Sequence, residues 1–346
     1  MKKVGVCFLV LLAFSVSAIL FSGIPIQAAE KPIELRLAHQ YPVGSFMDQA
    51  MSAWAKKITD DSKGRLTIRM FPNNTLVPPP QLYDAAVSGT ADITFGSRYN
   101  PKGFTLGVTF PFILGAPNET IASKVYDDIW KQFPKVMADE WKDVKIIFLS
   151  AQGPQVLFTR KAVRTLEDLK GLQLRTGGKE GGDLLKDLGA TPVFMSSGDL
   201  VMAIEKGTVD GAGMHPSGIR DFKLGGKIKY IMMDVNLGAP VPIMCVMNKD
   251  SYNKLPADLK AVIDKSAEFG NQKVLDGWRN TTEDDMKYWK AEGIEIIHFS
   301  PQELARWQPI IDRARDRVGK ELDAKGIPGT EVVKYIRERV AYYSKK

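Results

Sequence analysis

Three histidines, His39, His215 and His298, make up the whole imidazole complement of this 346-residue chain, and no two are spaced as a metal pair. H-E-x-x-H, C-x-x-C and G-x-S-x-G are all absent. The sequence therefore offers no zincin, dithiol or nucleophile-elbow chemistry. Gly177-Gly178-Lys179-Glu180-Gly181-Gly182 matches a phosphate loop only in its glycines. A Walker loop follows its lysine with Ser or Thr to hold magnesium, and Glu180 in that place would repel phosphate. Asp127-Asp128, beside Lys124 and Lys131, reads as the solvated face of a helix. Cys245 lies in the apolar run Val241–Met247, where a buried inert thiol is expected. No nucleophile, base and oxyanion donor come together. Binding without catalysis is the reading that follows, with no catalytic residue, no metal and no cofactor.

The residue best placed to bind is Arg175. Leu172 and Leu174 face one way in a short strand, and Gln173 and Arg175 the other. Arg175 ends that strand, and open α/β sheets bind ligands outside the carboxyl ends of their strands. The glycines that follow turn the chain into a helix whose first amides also favour an anion. A guanidinium grips a carboxylate through two parallel hydrogen bonds. On pattern alone Arg175 is either that anchor or a surface arginine in a salt bridge.

The surrounding elements indicate an α/β protein. Ile33–His39 alternates as a strand, Phe46–Thr59 has helical spacing, and Leu66–Phe71 is a second strand ended by Pro72-Asn73-Asn74. A helix over Gln81–Ser88 and a strand over Ala91–Phe95 complete a β-α-β-α-β order. A second series runs through strands at Lys145–Ser150, Val156–Thr159, Leu172–Arg175, Thr191–Met195 and Asp210–Gly213, and the chain returns to strand at Met244–Asn248. Pro256–Glu292 carries one long helical pattern, about 50 Å if continuous, long enough to brace two lobes. A strand over Ile294–Phe299 and two further helices finish the chain.

At the amino end, Lys2-Lys3, the apolar run Val4–Phe21 and the small-residue exit at Ala28-Ala29 have the order of a secretory signal peptide cleaved after Ala28. The 346 residues less 28 leave 318, a length that suggests two domains. Removing Lys2 and Lys3 from 47 basic residues leaves 45 against 40 acidic, a scattered +5. That balance suits anionic solutes better than nucleic acid.

Several stretches, in order along the chain, resemble one family. Leu169-Lys170-Gly171-Leu172-Gln173-Leu174-Arg175, Leu188-Gly189-Ala190-Thr191-Pro192 and Ala203–Gly211 are similar to segments of the substrate-binding proteins of tripartite ATP-independent periplasmic (TRAP) transporters. So are Leu35–His39, Phe71–Leu76, Ser88–Ile93, Phe110–Leu114, and Val246–Lys249 with Leu255-Pro256. The resemblance implies an α/β, two-lobed periplasmic-binding-protein fold (type II-like) with a long lobe-spanning helix. It implies chain crossovers near residues 152, 240 and 280. The expected division is 1–28 signal peptide, 29–152 plus 241–280 as one lobe, and 153–240 plus 281–346 as the other.

The resemblance also makes Arg175 the carboxylate anchor of a cleft that closes on its ligand. A second arginine usual in the family is replaced by Gln155. Branches with glutamine there bridge a metal to the ligand and supply a carboxylate and an aromatic after the Val-Asp-Gly segment, where this chain has Met214 and His215. Methionine cannot replace a carboxylate for a hard cation, so no metal is expected. An asparagine common near Met214 and a phenylalanine near Ser197 are absent. One carboxylate and an uncharged remainder are what such a pocket suits. Further expected wall residues are Tyr41, Phe46, Ser97, Arg98, Tyr99, Gly153 and Phe158, and Arg98, if turned inward, would admit a second carboxylate. The implied partners are the small and large membrane subunits of a TRAP permease, served by a periplasmic monomer. A sensory subunit for a signalling receptor, a dicarboxylate-binding relative, an enzyme acting on small acids and an ABC-type binder are the alternatives.

Overall fold

The computed structural model describes residues 31–97, 115–195, 199–238 and 243–345. The amino-terminal stretch, Arg98, Tyr99 and Ser197 lie outside the described residues. The strands are β1 (Ile33–His39), β2 (Leu66–Phe71), β3 (Ile93–Ser97), β4 (Val144–Ser150), β5 (Val156–Thr159), β6 (Gln173–Thr176), β7 (Thr191–Phe194), β8 (Gly211–Met214), β9 (Tyr230–Met232), β10 (Ile243–Asn248) and β11 (Glu295–Ile297). They form two sheets, ordered β2-β1-β3-β10-β4 and β11-β9-β5-β8-β6-β7. Each sheet mixes parallel βαβ pairs with an antiparallel strand that has crossed from elsewhere in the chain: β10 pairs antiparallel with β3 and β4, and β5 with β8 and β9. This is a two-lobed α/β architecture with one sheet at the heart of each lobe.

Leu35 and Leu37 of β1 are buried and Glu34 is exposed, as the alternation requires. Arg36 on the polar side closes the turn before β3. Its backbone N–H and its Nε both donate to Asp92 Oδ2 at 2.9 Å, and its terminal nitrogen reaches Gly89 O at 2.7 Å. Partial burial opposes ionisation of Asp92, but the Arg36 hydrogen bonds outweigh it and hold the carboxyl below its usual range.

The helix Phe46–Asp61 starts on Ser45, whose hydroxyl accepts from Asp48 N–H, and buries Met47, Met51, Trp54 and Ile58 on one face. The long helix is continuous over Ala257–Ala291. Its buried stripe runs Leu259, Ile263, Ser266, Gly270, Val274, Trp278, Thr281, Asp285 and Trp289. Leu259 to Trp278 pack into the core around Leu37, Trp54 and Phe95. Trp289, three turns on, packs with Phe158 and Ile204 under the other sheet. One helix thus serves both cores. Met286, between the buried Asp285 and Trp289, is 45% exposed. Two glycines permit the close packing: a Cβ on Gly270 would stand 2.7 Å from Phe148, and one on Gly277 2.3 Å from Phe46.

The chain passes between the sheets at Ala151–Gln155 and again after β9. These two crossing segments are tied together, since Gln155 N–H donates to Gly238 O at 2.6 Å and Leu237 N–H to Gln155 O at 3.0 Å. Asp128 is not on a freely solvated face. The carboxyl-terminal helix Gly329–Ser344 lies on the helix Glu119–Gln132, and Arg339 Nε and the Tyr343 hydroxyl both donate to Asp128, at 2.6 and 2.9 Å.

Candidate functional site

Arg175 occupies the third of the four positions of β6, near its carboxyl end, and is only 6% exposed. Its Nε donates to Met195 O at 3.1 Å, which fixes the plane of the guanidinium. A Cβ on Gly177 would come within 3.1 Å of a terminal nitrogen of Arg175, so this glycine lets the side chain lie against the turn. The helix after the turn spans Lys179–Asp187.

The register of the second sheet places Arg175 beside Ala212 of β8, and pairs Ala212 with Phe158 and Met214 with Val156 across β5. Residues directly opposite one another share a face of the sheet. Arg175 and Met214 therefore share a face with Phe158. Phe158 is fully buried with Leu200, Ile204 and Ile219. This corrects its expected place in the pocket wall: it is core, and supports the site from beneath.

His215 follows β8 directly. Its ring centroid is 4.5 Å from that of Trp278 on the spanning helix, and Phe46 of the other lobe's first helix approaches the same indole at 4.8 Å, edge-on. The three rings bridge the lobes. Ser217 N–H donates to His215 Nδ1 at 3.2 Å, and the Ser217 hydroxyl lies 2.9 Å from the same atom. Burial lowers the His215 pKa to about 3, so the ring is neutral near pH 7. With Nδ1 accepting, the proton resides on Nε2. Nε2 lies 3.2 Å from the point where a Cβ on Gly153 would stand.

In the first lobe, Tyr41 packs at 5.5 Å from Phe95 and 6.3 Å from His39. His39 is wholly buried beside Asp48, Nε2 to Oδ1 3.2 Å. Burial lowers its pKa although Asp48 pulls the other way. Ser97, 4% exposed at the end of β3, donates its N–H to Gln40 Oε1 at 3.2 Å. Gln155 is half-buried on the crossing segment. The fold thus gathers Arg175, Met214 and His215 on one sheet's carboxyl side and joins His215 to Phe46 through Trp278. Tyr41 and Ser97 form a separate group on the first sheet.

Residues 37–321 match the bacterial extracellular solute-binding proteins, family 7. The chain belongs to that family. Its members are the solute receptors of TRAP transporters. It is 28% identical over 267 residues to the 2,3-diketo-L-gulonate-binding periplasmic protein of Escherichia coli (strain K12), covering 70% of this chain and 75% of that one. It is 23% identical over 293 residues to a monocarboxylate 2-oxoacid-binding periplasmic protein of Nostoc sp., covering 82% and 79%. Among solved structures, a TRAP solute-binding protein of Rhodoferax ferrireducens T118 in complex with copurified benzoate superposes with a TM-score of 0.76 at 25% identity, covering 90% of this chain and 99% of that chain. In this TRAP receptor the sequence pointed to Arg175 and His215. Trp278 lies within the long helical pattern, and no motif singles out Glu119, whose Oε2 lies 3.5 Å from the Gly153 Cβ position. An Asn before a helical apolar pattern marked a helix start at Glu119, but nothing in the sequence placed that start beside His215.

Proposed function

We propose that this TRAP receptor binds a small monocarboxylate in the periplasm, with Arg175 pairing with the carboxylate, and passes it to the membrane subunits of a secondary transporter. The observation that carries the reading is the burial of Arg175 near the carboxyl end of β6, against a glycine turn and a helix amino terminus. A cation so placed is satisfied best by an anion that arrives with two acceptor oxygens. The benzoate-bound relative and the oxoacid- and gulonate-binding relatives support a single carboxylate. Closure follows from the contacts that ligand adds between the lobes, since a ligand shifts an equilibrium only by its differential affinity for the two states. The lobes divide at residues 152, 240 and 280, and the working form is a monomer from which residues 1–28 have been removed. No chemical conversion of the ligand forms part of this role. Mass spectrometry of ligand carried through purification should identify a carboxylic acid, and calorimetry with that acid should give at least tenfold weaker binding in Arg175→Ala. Unchanged affinity overturns the assignment of the anchor.

A further inference from the structure

We propose that a basic pocket at the outer edge of the second sheet binds the phosphate of an anionic lipid headgroup and so holds the receptor to the membrane surface. The pocket shares no lining residue with the group around Arg175, and its assignment does not depend on that anchor. β5 runs antiparallel to β8 and β9, so the end of β5 meets the starts of β8 and β9 at one edge of the sheet. Arg175 and Met214 lie toward the carboxyl ends of β6 and β8, at the other edge. Arg160 and Lys161 follow β5, Asp210 precedes β8, and Lys227 and Lys229 precede β9. Glu205 ends the helix Leu200–Glu205. These side chains line a cavity of about 540 Å³.

Their charges do not cancel. Four cations face two carboxylates, an excess of two positive charges. Lys161 Nζ is 3.3 Å from Asp210 Oδ1, and Lys227 Nζ is 3.5 Å from Glu205 Oε1. Asp210 also accepts from Gln173 N–H at 2.9 Å. Arg160 donates to a neutral acceptor, the Ile204 carbonyl, at 3.3 Å, and has no ion pair among the described residues. Nor has Lys229. Glu295, whose N–H donates to the Lys229 carbonyl at 2.9 Å, turns its carboxylate to Arg164 instead, at 2.6 Å. Arg160 and Lys229 therefore remain unbalanced beside one cavity. A guanidinium fork grips two phosphate oxygens, and an ammonium adds a point charge to a third. Cations gathered around one cavity suit a compact headgroup, whereas an extended acidic chain needs them in a row. An anionic leaflet offers many such phosphates at once and attracts basic side chains close to it.

Cosedimentation of the mature protein with lipid vesicles tests the proposal. Vesicles of phosphatidylcholine with about 30% phosphatidylglycerol should take up at least tenfold more protein than phosphatidylcholine alone at about 50 mM salt, and the difference should shrink at about 500 mM. Arg160→Glu with Lys229→Glu should lower that uptake about tenfold or more, and Arg160→Gln with Lys229→Gln should lower it less, in the same direction. Lys170→Glu with Lys320→Glu, on other surfaces, should lower it less than about threefold. Thermal melting shows that each variant is folded. Equal uptake by both kinds of vesicle, or equal losses in the pocket pair and the control pair, overturns the proposal. Tighter binding to a soluble octaglutamate peptide than to the anionic vesicles assigns the pocket to an acidic protein segment and overturns the lipid. Arg175→Ala should leave vesicle uptake within about twofold of wild type, so this pocket and the carboxylate anchor fail separately.

Discussion

Among the described residues, two arginines are almost sealed from water. Arg175 is 6% exposed and Arg315 is 7% exposed. Their surroundings differ. Arg315 sits mid-way along the helix Pro301–Asp323 between the buried Ala314 and Val318, and its guanidinium fits against Gly115, where a Cβ would lie 2.9 Å from Cζ. It donates once, at 3.4 Å, to Asn236 O, stands 3.7 Å from Asp312, and its Nε has no partner among the described residues. Burial pushes its pKa down to about 10 although Asp312 opposes the shift. Arg175 lies instead near a strand's end, beside a glycine turn and the amino end of a helix. Burial alone therefore does not make a cation a binding site. The backbone beside it must leave room for an anion and offer further donors to it.

The largest effect should come from Arg175→Ala, which is expected to weaken acid binding at least tenfold, about 1.4 kcal/mol or more, with little change in melting temperature. A large drop in melting temperature with affinity intact would make Arg175 a structural arginine like Arg315 and erase the contrast.

Asp285 extends the comparison to a buried anion. It is 1% exposed on the spanning helix, 3.2 Å from Arg220 Nε, and burial raises its pKa to about 7 against the pull of Arg220, with Asp221 and Asp284 adding to the rise. Between the usual aspartate range and pH 7 the folded protein holds a proton that the unfolded chain has released. Stability contributed by this group is thus present at low pH and is lost as pH rises through about 7. Asp285→Asn should melt a few degrees higher than wild type at pH 8, by a smaller margin near pH 5, and match it only below about pH 4. Parallel melting curves for the two proteins across that range would show that Asp285 ionises without cost.

A smaller change is expected from Arg315→Met. Replacing a poorly partnered buried charge by an apolar chain of similar length is often neutral or stabilising, so unfolding free energy should move by about 1 kcal/mol or less, with acid affinity within about threefold of wild type. A tenfold loss of affinity would show that Arg315 also serves ligand binding. The smallest effect is on pH dependence. His215, with a pKa of about 3, stays neutral from pH 5 to 8, so its titration should leave acid affinity flat over that range. A step near pH 6.5 in wild type that vanishes in His215→Phe would overturn the neutral-donor description.

Much of the fold was legible. Strand alternation at Ile33–His39 and the helical pattern of the spanning helix depend on local sequence, and the structure follows them. The helix Glu119–Gln132 was legible too, through Asn118 and the spacing of Ala122, Val125 and Ile129, although only its Asp127-Asp128 pair was placed on a helix beforehand. Strand β9 has three residues and exists because β5 and β11 pair with it, so no local pattern announces it.

The sequence by itself determined that a receptor of the TRAP type was encoded, and that an arginine would stand near the carboxyl end of the strand before a glycine turn. Periodicity, turn residues and ordered motifs are properties of neighbours along the chain. Only the tertiary structure decided which of two wholly or nearly buried side chains is packed into the core and which stands near the end of its strand. Phe158 and Arg175 stand on one face of one sheet, yet one is packed under helices and the other lies near the strand's end. It also set Trp278 of the spanning helix between His215 of one lobe and Phe46 of the other, from three segments whose separation in sequence carries no trace of that meeting.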